Sequence, residues 1–229
     1  TLLLAAPIAA FVTRHPDITL DIDLSARRVD LLGEGFDAAV RIGPLQDDSL
    51  LAAHGLRPLR SGLYASPGHV RRHGMPQHPD DLLAQPAVGL LGPRALTAPW
   101  VLMRGSERWE GLPPARVTAN SPEMMIRLAA LDAGVAAVPD LLARAEAQRS
   151  ALVRVLPDWS PPDEPAAVVF PGRKLMPAKT RAFIDWIDAA FRATHDVLRE
   201  AIRARLADGK PAPSVGATAR SGVNPGGSA

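Results

Sequence analysis

The stretch from Ile18 to Gly43 constrains the fold more than any other part of the chain. Ile18, Leu20, Ile22 and Leu24 alternate with Thr19, Asp21, Asp23 and Ser25, the period-two pattern of a strand with one apolar face. Ser25 can cap a short helix from Arg27 to Gly33 that carries Val29, Leu31 and Leu32. Gly33 and Gly35 can each supply the left-handed conformation that ends it. Phe36 to Ile42 reads as a second strand, with Ala39, Val40 and Ile42 suited to burial. Strand, short helix and strand in so little chain lead one to expect a parallel βαβ unit with a right-handed crossover. In open sheets of that kind, ligands sit beyond the carboxyl ends of the strands. Arg41, Ile42 and Gly43 stand at such an end and are candidate ligand-binding residues. Arg41 can meet a carboxylate ligand or form a structural pair with Asp37 or Asp48.

The rest of the chain alternates short strands and helices. Leu2 to Val12 has a helical apolar face, interrupted by Pro7. Strands are expected at Leu50–Leu56, Leu59–Ser66, Ala87–Leu91, Trp100–Met103, Arg116–Ala119, Val135–Val138, Leu152–Leu156 and Ala166–Phe170. Helices are expected at Gly68–His73, Asp140–Arg149 and Pro177–Ala190, the last continuing through Ile202 and Leu206. Gly105–Pro114 reads as a loop with Trp109 as its buried anchor. Asn120-Ser121-Pro122-Glu123 is a strong helix start, with a cap, a proline at the first position and an acid in the first turn. Beyond Asp208 the chain is Gly, Pro, Ser, Ala and Thr without an apolar period. Residues 209–229 are therefore expected to be a disordered tail, after a helical extension over 193–208.

Composition narrows the function classes. Among 229 residues there is no cysteine, which excludes disulfides, thiol catalysis and thiolate metal sites and fits a cytoplasmic setting. The net charge of +2 gives no argument for a nucleic-acid surface. The pI near 9.5 reflects arginine, since Lys174, Lys179 and Lys210 are the only lysines. No apolar run approaches the roughly 20 residues of a membrane span. No nucleophile elbow, P-loop or dinucleotide fingerprint is present, so neither an enzyme nor a cofactor is expected.

The best physical element for a ligand is the helix start at Asn120 and Ser121. Backbone N–H groups there are unpaired and the helix dipole favours an anion. Ser121 either caps the helix only or also offers its hydroxyl to a ligand. His69 and His73 share a helical spacing, but without a third ligand nearby they read as solvated surface residues, and no metal is expected. Met124 and Met125 read as core. Arg199, Arg203 and Arg205 form a basic stripe read as a solvated helix face.

The run RHPDITLDIDLSARRVDLLGEGFDAAVRIGPLQDDSLLA, the Ala65-Ser66-Pro67 turn, the segment around Ala133-Gly134-Val135-Ala136 up to Pro139, and RKLMPAKTRAFIDWIDAAF resemble the regulatory domain of LysR-type transcriptional regulators. The resemblance covers roughly residues 2–192, with Ala136 where relatives commonly have a second glycine. It implies a two-lobed α/β domain of the periplasmic-binding-protein type, each lobe a twisted, mostly parallel sheet flanked by helices. Lobe I would comprise residues 1–67 and 167–192, and lobe II residues 68–166. A small effector, such as an organic or aromatic acid, would bind between the lobes. Ser66 and Phe170 would stand at the two crossover strands, and Asn120, Ser121 and Pro139 would face the cleft. Relatives carry one more strand before the first helix, and a winged helix-turn-helix through which they bind DNA, neither of which is in this sequence. The resemblance further implies a homodimer or tetramer that pairs the Leu2–Val12 face of one chain with the Met124–Leu131 helix of another, and no membrane partner. The alternative function is a stand-alone solute-binding protein of the same fold.

Overall fold

The computed structural model describes residues 2–25, 27, 29–45, 50–92, 98–172 and 176–207. The expected tail, Asp48 and the side chains of the Arg199–Arg205 stripe lie outside the described residues and side chains. In chain order the elements are α1 (Leu2–Arg14), β1 (Ala39–Ile42), β2 (Leu51–Leu59), β3 (Ser61–Ala65), α2 (Pro67–His73), a 3-10 helix (Pro79–Ala84), β4 (Ala87–Leu90), β5 (Trp100–Arg104), β6 (Glu107–Gly111), β7 (Ala115–Ala119), α3 (Pro122–Ala130), β8 (Val135–Pro139), α4 (Asp140–Gln148), β9 (Val153–Val155), β10 (Glu164–Pro171) and α5 (Ala178–Ala207).

Two main sheets organise these elements. The first has the order β1-β10-β2 and the second β7-β4-β8-β3-β9, with β5 and β6 forming a separate hairpin. Both pairings in the first sheet are antiparallel. In the second, β4 runs parallel to β7 and β8, while β3 runs antiparallel to β8 and β9. The first sheet is thus antiparallel and the second mixed, where mostly parallel sheets were expected.

The five-stranded sheet is buried on both faces. Leu63, Val135 and Val155 pack on one side with Val70 of α2, Leu82 of the 3-10 helix and Trp109 of β6. Tyr64, Ala136 and Val138 pack on the other with Met125, Ile126 and Ala129 of α3 and Ala143 of α4. The alternation along β3 and β8 sorts side chains between these two layers. Gly134 makes the turn into β8 possible, since a Cβ there would lie 2.5 Å from the Pro86 carbonyl oxygen and φ is +149°.

The three-stranded sheet packs Leu56, Leu59, Ala166 and Val168 against Ile184, Ile187 and Phe191 of α5. α1 docks on α5 through Phe11, edge-on to Phe183 at 5.5 Å. The Trp186 indole donates to the Pro7 carbonyl at 2.8 Å.

Several expectations are corrected. Ile18–Leu24 forms no strand, and Ile22 and Leu24 are 53% and 66% exposed. Residues 31–35 make a turn instead of the expected helix. It is stitched by the Asp30 carboxylate, which accepts from the Leu32 and Gly33 N–H groups. β1 pairs antiparallel with β10, so no parallel βαβ unit forms. Gly105–Pro114, read as a loop, contributes β6 to a hairpin; Trp109 is buried as expected, and its indole donates to Asp80 at 2.7 Å. β3, assigned to the first lobe from sequence, pairs within the five-stranded sheet. The chain therefore crosses between Leu59 and Ser61, and returns at the start of β10.

Candidate functional site

The crossings decide which strand ends face one another. β2 ends at Leu59 opposite Glu164, where β10 begins. Beside them β1 ends at Ile42 opposite Ala166, and the Gly43 N–H donates to the Pro165 carbonyl at 2.8 Å. Two residues beyond Leu59 β3 starts, with Ser61 opposite Pro139 at the carboxyl end of β8. The parallel strands β4 and β7 end on the same edge, Leu90 opposite Ala119. Ile42 and Gly43 of the first sheet and Asn120, Ser121 and Pro139 of the second thus stand at the ends of their sheets nearest the crossings.

Ser121 caps α3, its hydroxyl accepting the Met124 N–H at 3.4 Å. That bond is long for an N–H···O contact, which leaves the hydroxyl capacity for another partner. Asn120 is exposed and Pro139 is buried. Ile42 is exposed, and Gly43 adopts φ +99°. Among the described residues Arg41 does not pair with Asp37, and its other expected partner, Asp48, lies outside them. Arg41 Nη2 donates to the Val29 carbonyl at 3.3 Å, while Asp37 meets Lys179 at 2.9 Å.

Two expected site residues lie elsewhere. Ser66 follows β3 at the end away from Ser61, about 17 Å along the strand from the crossing. It is 2% exposed, caps α2 by accepting the His69 N–H at 2.9 Å, and donates to the Asp132 carboxylate. That hydrogen bond, helped by Arg72, holds the Asp132 carboxyl below its ordinary value. Phe170 is near the far end of β10, about 20 Å from Glu164 by the same measure. Both strands were correctly recognised, but their directions relative to the other lobe depend on pairing.

The site also contains groups that the sequence reading passed over. Asp140, 7% exposed, opens α4 directly after Pro139. It accepts the Tyr64 hydroxyl at 2.9 Å, and both its oxygens lie 3.0 Å from Arg154 Nη1. Gly62 leaves the space for this cluster, since a Cβ there would come within 2.5 Å of Asp140. Burial first, and then the Asp140 charge, push the Tyr64 hydroxyl well above the ordinary tyrosine value. Arg60 and Asp163 meet at 3.5 Å beside the crossings. Desolvation raises the Glu164 carboxyl. An acid immediately after an apolar strand was the available signal for Asp140; its partners are distant in sequence.

His69 is 1% exposed, against the expectation of a solvated residue. Its ring lies against His73 at 4.5 Å, and Nε2 is 3.2 Å from the Gln85 amide oxygen. Met125 is core, whereas Met124 is 53% exposed. Among the described residues, no group of three or more potential ligands could hold a metal ion, and no helix is long and apolar enough to cross a membrane.

Two α/β lobes joined at adjacent strands, with strand ends of both lobes next to the crossings, define the periplasmic-binding-protein-like class. Within that class the chain belongs to the LysR substrate-binding domain family, whose model matches residues 1–192. An HTH-type transcriptional regulator of Xanthomonas campestris is 31% identical over 207 residues, covering 89% of this chain and 60% of that protein. An HTH-type transcriptional repressor of Pseudomonas aeruginosa is 27% identical, with 90% and 65% covered. The chain thus spans somewhat less than two thirds of the length of these curated relatives. The regulatory domain of CrgA from Neisseria meningitidis superposes with a TM-score of 0.73 at 28% identity, over 83% of this chain and 93% of that one. The variant AphB regulatory domain from Vibrio vulnificus gives 0.69 at 26% identity, over 82% and 91%. These relatives are transcriptional regulators, not enzymes.

Proposed function

We propose that this chain is the effector-sensing part of a cytoplasmic LysR-type regulator, binding a small organic or aromatic acid between its lobes. The observation that carries the reading is the placement of the α3 start at Ser121, the β1 end at Ile42–Gly43 and the Pro139–Asp140 corner at the sheet ends nearest the crossings. The N–H groups of a helix start favour an anion, and Ser121 has hydrogen-bonding capacity to spare. Lobe I comprises the chain to Leu59 and from Glu164 onward, and lobe II the chain between. The ligand shifts the relative orientation of the lobes to the extent that it binds one arrangement more tightly than the other.

Two chains pair through exposed apolar residues of α1, α3 and its C-cap, including Val12, Met124 and Leu131. Through that pairing the lobes set the placement of DNA-binding heads on the whole protein. DNA recognition belongs to those heads, and this chain alone gives no sequence-specific gel shift.

The test is thermal unfolding of the purified chain against carboxylates, aromatic acids and neutral metabolites. A ligand at a hundred times its dissociation constant adds about 2.7 kcal/mol. Ser121→Ala removes the shift if the acid sits at the α3 start. A shift by an acid that survives Ser121→Ala and Arg41→Ala alike places the ligand elsewhere and sinks the interlobe reading.

A further inference from the structure

At the far end of the first lobe, away from the crossings, the 31–35 turn stands off from the end of β10 and the start of α5. The gap between them is a partly open pocket that communicates with solvent. Leu31, Phe36, Phe170, Pro171 and Met176 give it apolar walls, and Thr180 lines it from the first turn of α5. Thr180 is 5% exposed, and its hydroxyl has no hydrogen-bond partner among the described residues. A buried hydroxyl left unpaired is destabilising, and native proteins leave few such groups without a reason.

The same turn supplies further donors. The Arg181 N–H bonds back to the Pro177 carbonyl at 3.1 Å, so the N–H groups of Ala178, Lys179 and Thr180 precede the helical ladder and have no acceptor among the described residues. The dipole of a 30-residue helix adds partial positive charge at that point. The one acid on the wall, Asp37, is matched by Lys179 at 2.9 Å, so the pair leaves no net charge against an incoming anion.

We propose that this pocket is a second small-molecule site, distinct from the interlobe cleft, for a carboxylic acid with a compact apolar body. The carboxylate takes the Thr180 hydroxyl and the N–H groups of the first turn of α5. The body lies against Phe36, Phe170 and Met176. Phe170 then lines a ligand site, though not the one expected from the sequence. The inference does not depend on the interlobe reading, since it uses different elements.

The experiment is a fluorine NMR titration of the whole chain with 4-fluorobenzoate, and with 4-fluorobenzamide as its uncharged counterpart. Saturable binding of the acid through the millimolar range is expected, with the amide clearly weaker. Thr180→Val keeps the side-chain shape and weakens the acid about fivefold, the worth of one hydrogen bond. Leu32→Trp, at a half-exposed position on the wall, fills the pocket and abolishes binding. Ser121→Ala leaves this binding unchanged. A cooperative melt of each variant verifies that it is folded. The proposal is overturned if the acid does not saturate, if the amide binds equally well, if Thr180→Val and Leu32→Trp have no effect, or if Ser121→Ala alone removes binding.

Discussion

The two sheets carry similar sequence patterns and use them differently. In the five-stranded sheet each strand is hydrogen-bonded to a neighbour, and helices or the β5–β6 hairpin cover both faces. Ile18–Leu24, by contrast, has a cleaner alternation than most of those strands, yet it joins no sheet. Alternation specifies which side chains share a face, but a strand also needs a neighbour to take its N–H and C=O groups. The pattern is a local property and the pairing is not.

The largest expected effect tests the better-packed sheet. Leu63 is fully buried, and Leu63→Ala should cost about 3 kcal/mol in urea unfolding, from lost burial and the cavity left behind. Asp140→Ala comes next. It strands the Tyr64 hydroxyl and part of the Arg154 guanidinium, and because Arg154 keeps about a third of its side chain in solvent, the cost should be about 2 kcal/mol, below that of a fully buried pair.

Tyr64→Phe should cost about 1 kcal/mol near neutral pH, the value of one hydrogen bond. It also predicts a pH effect with a definite sign. The folded Tyr64 hydroxyl ionises at higher pH than an unfolded one, so its stabilisation is complete below the ordinary value of about 10 and is lost as pH rises beyond it. The wild-type chain should therefore lose stability more steeply above that pH than Tyr64→Phe, as urea midpoints across alkaline pH would reveal. The smallest effect closes the comparison: Ile22→Ala should change stability by less than about 0.5 kcal/mol, as exposed positions usually do. An Ile22 cost approaching that of Leu63 would mean the 18–24 segment is packed in solution, and the contrast between the sheets would fail.

Features determined by nearby residues were legible in the chain. Ser66-Pro67 and Ser121-Pro122 announce α2 and α3 because a cap and a first-turn proline act within four residues. The β5–β6 hairpin left a fainter mark, Gly105-Ser106 between its strands, with Gly105 at φ +58°; the short, charged second strand concealed it. Features set by distant partners were not legible. His69 is buried through Gln85, sixteen residues on. The Asp140 cluster joins residues 76 apart. Ser66 and Phe170 were read on real strands but at the wrong ends, because the end that faces the other lobe is settled by strand pairing.

The crossover strands have a mechanical consequence. β2 and β10 remain hydrogen-bonded to each other as far as Leu59 and Glu164, with a register shift between Glu164 and Ala166. The lobes therefore hang on one ribbon rather than on two separate tethers. Sliding one strand against the other would shear a ladder of hydrogen bonds, whereas twisting or bending the ribbon leaves the ladder intact. A rotation between the lobes would therefore twist or bend this ribbon, with the local bulge as its most compliant point.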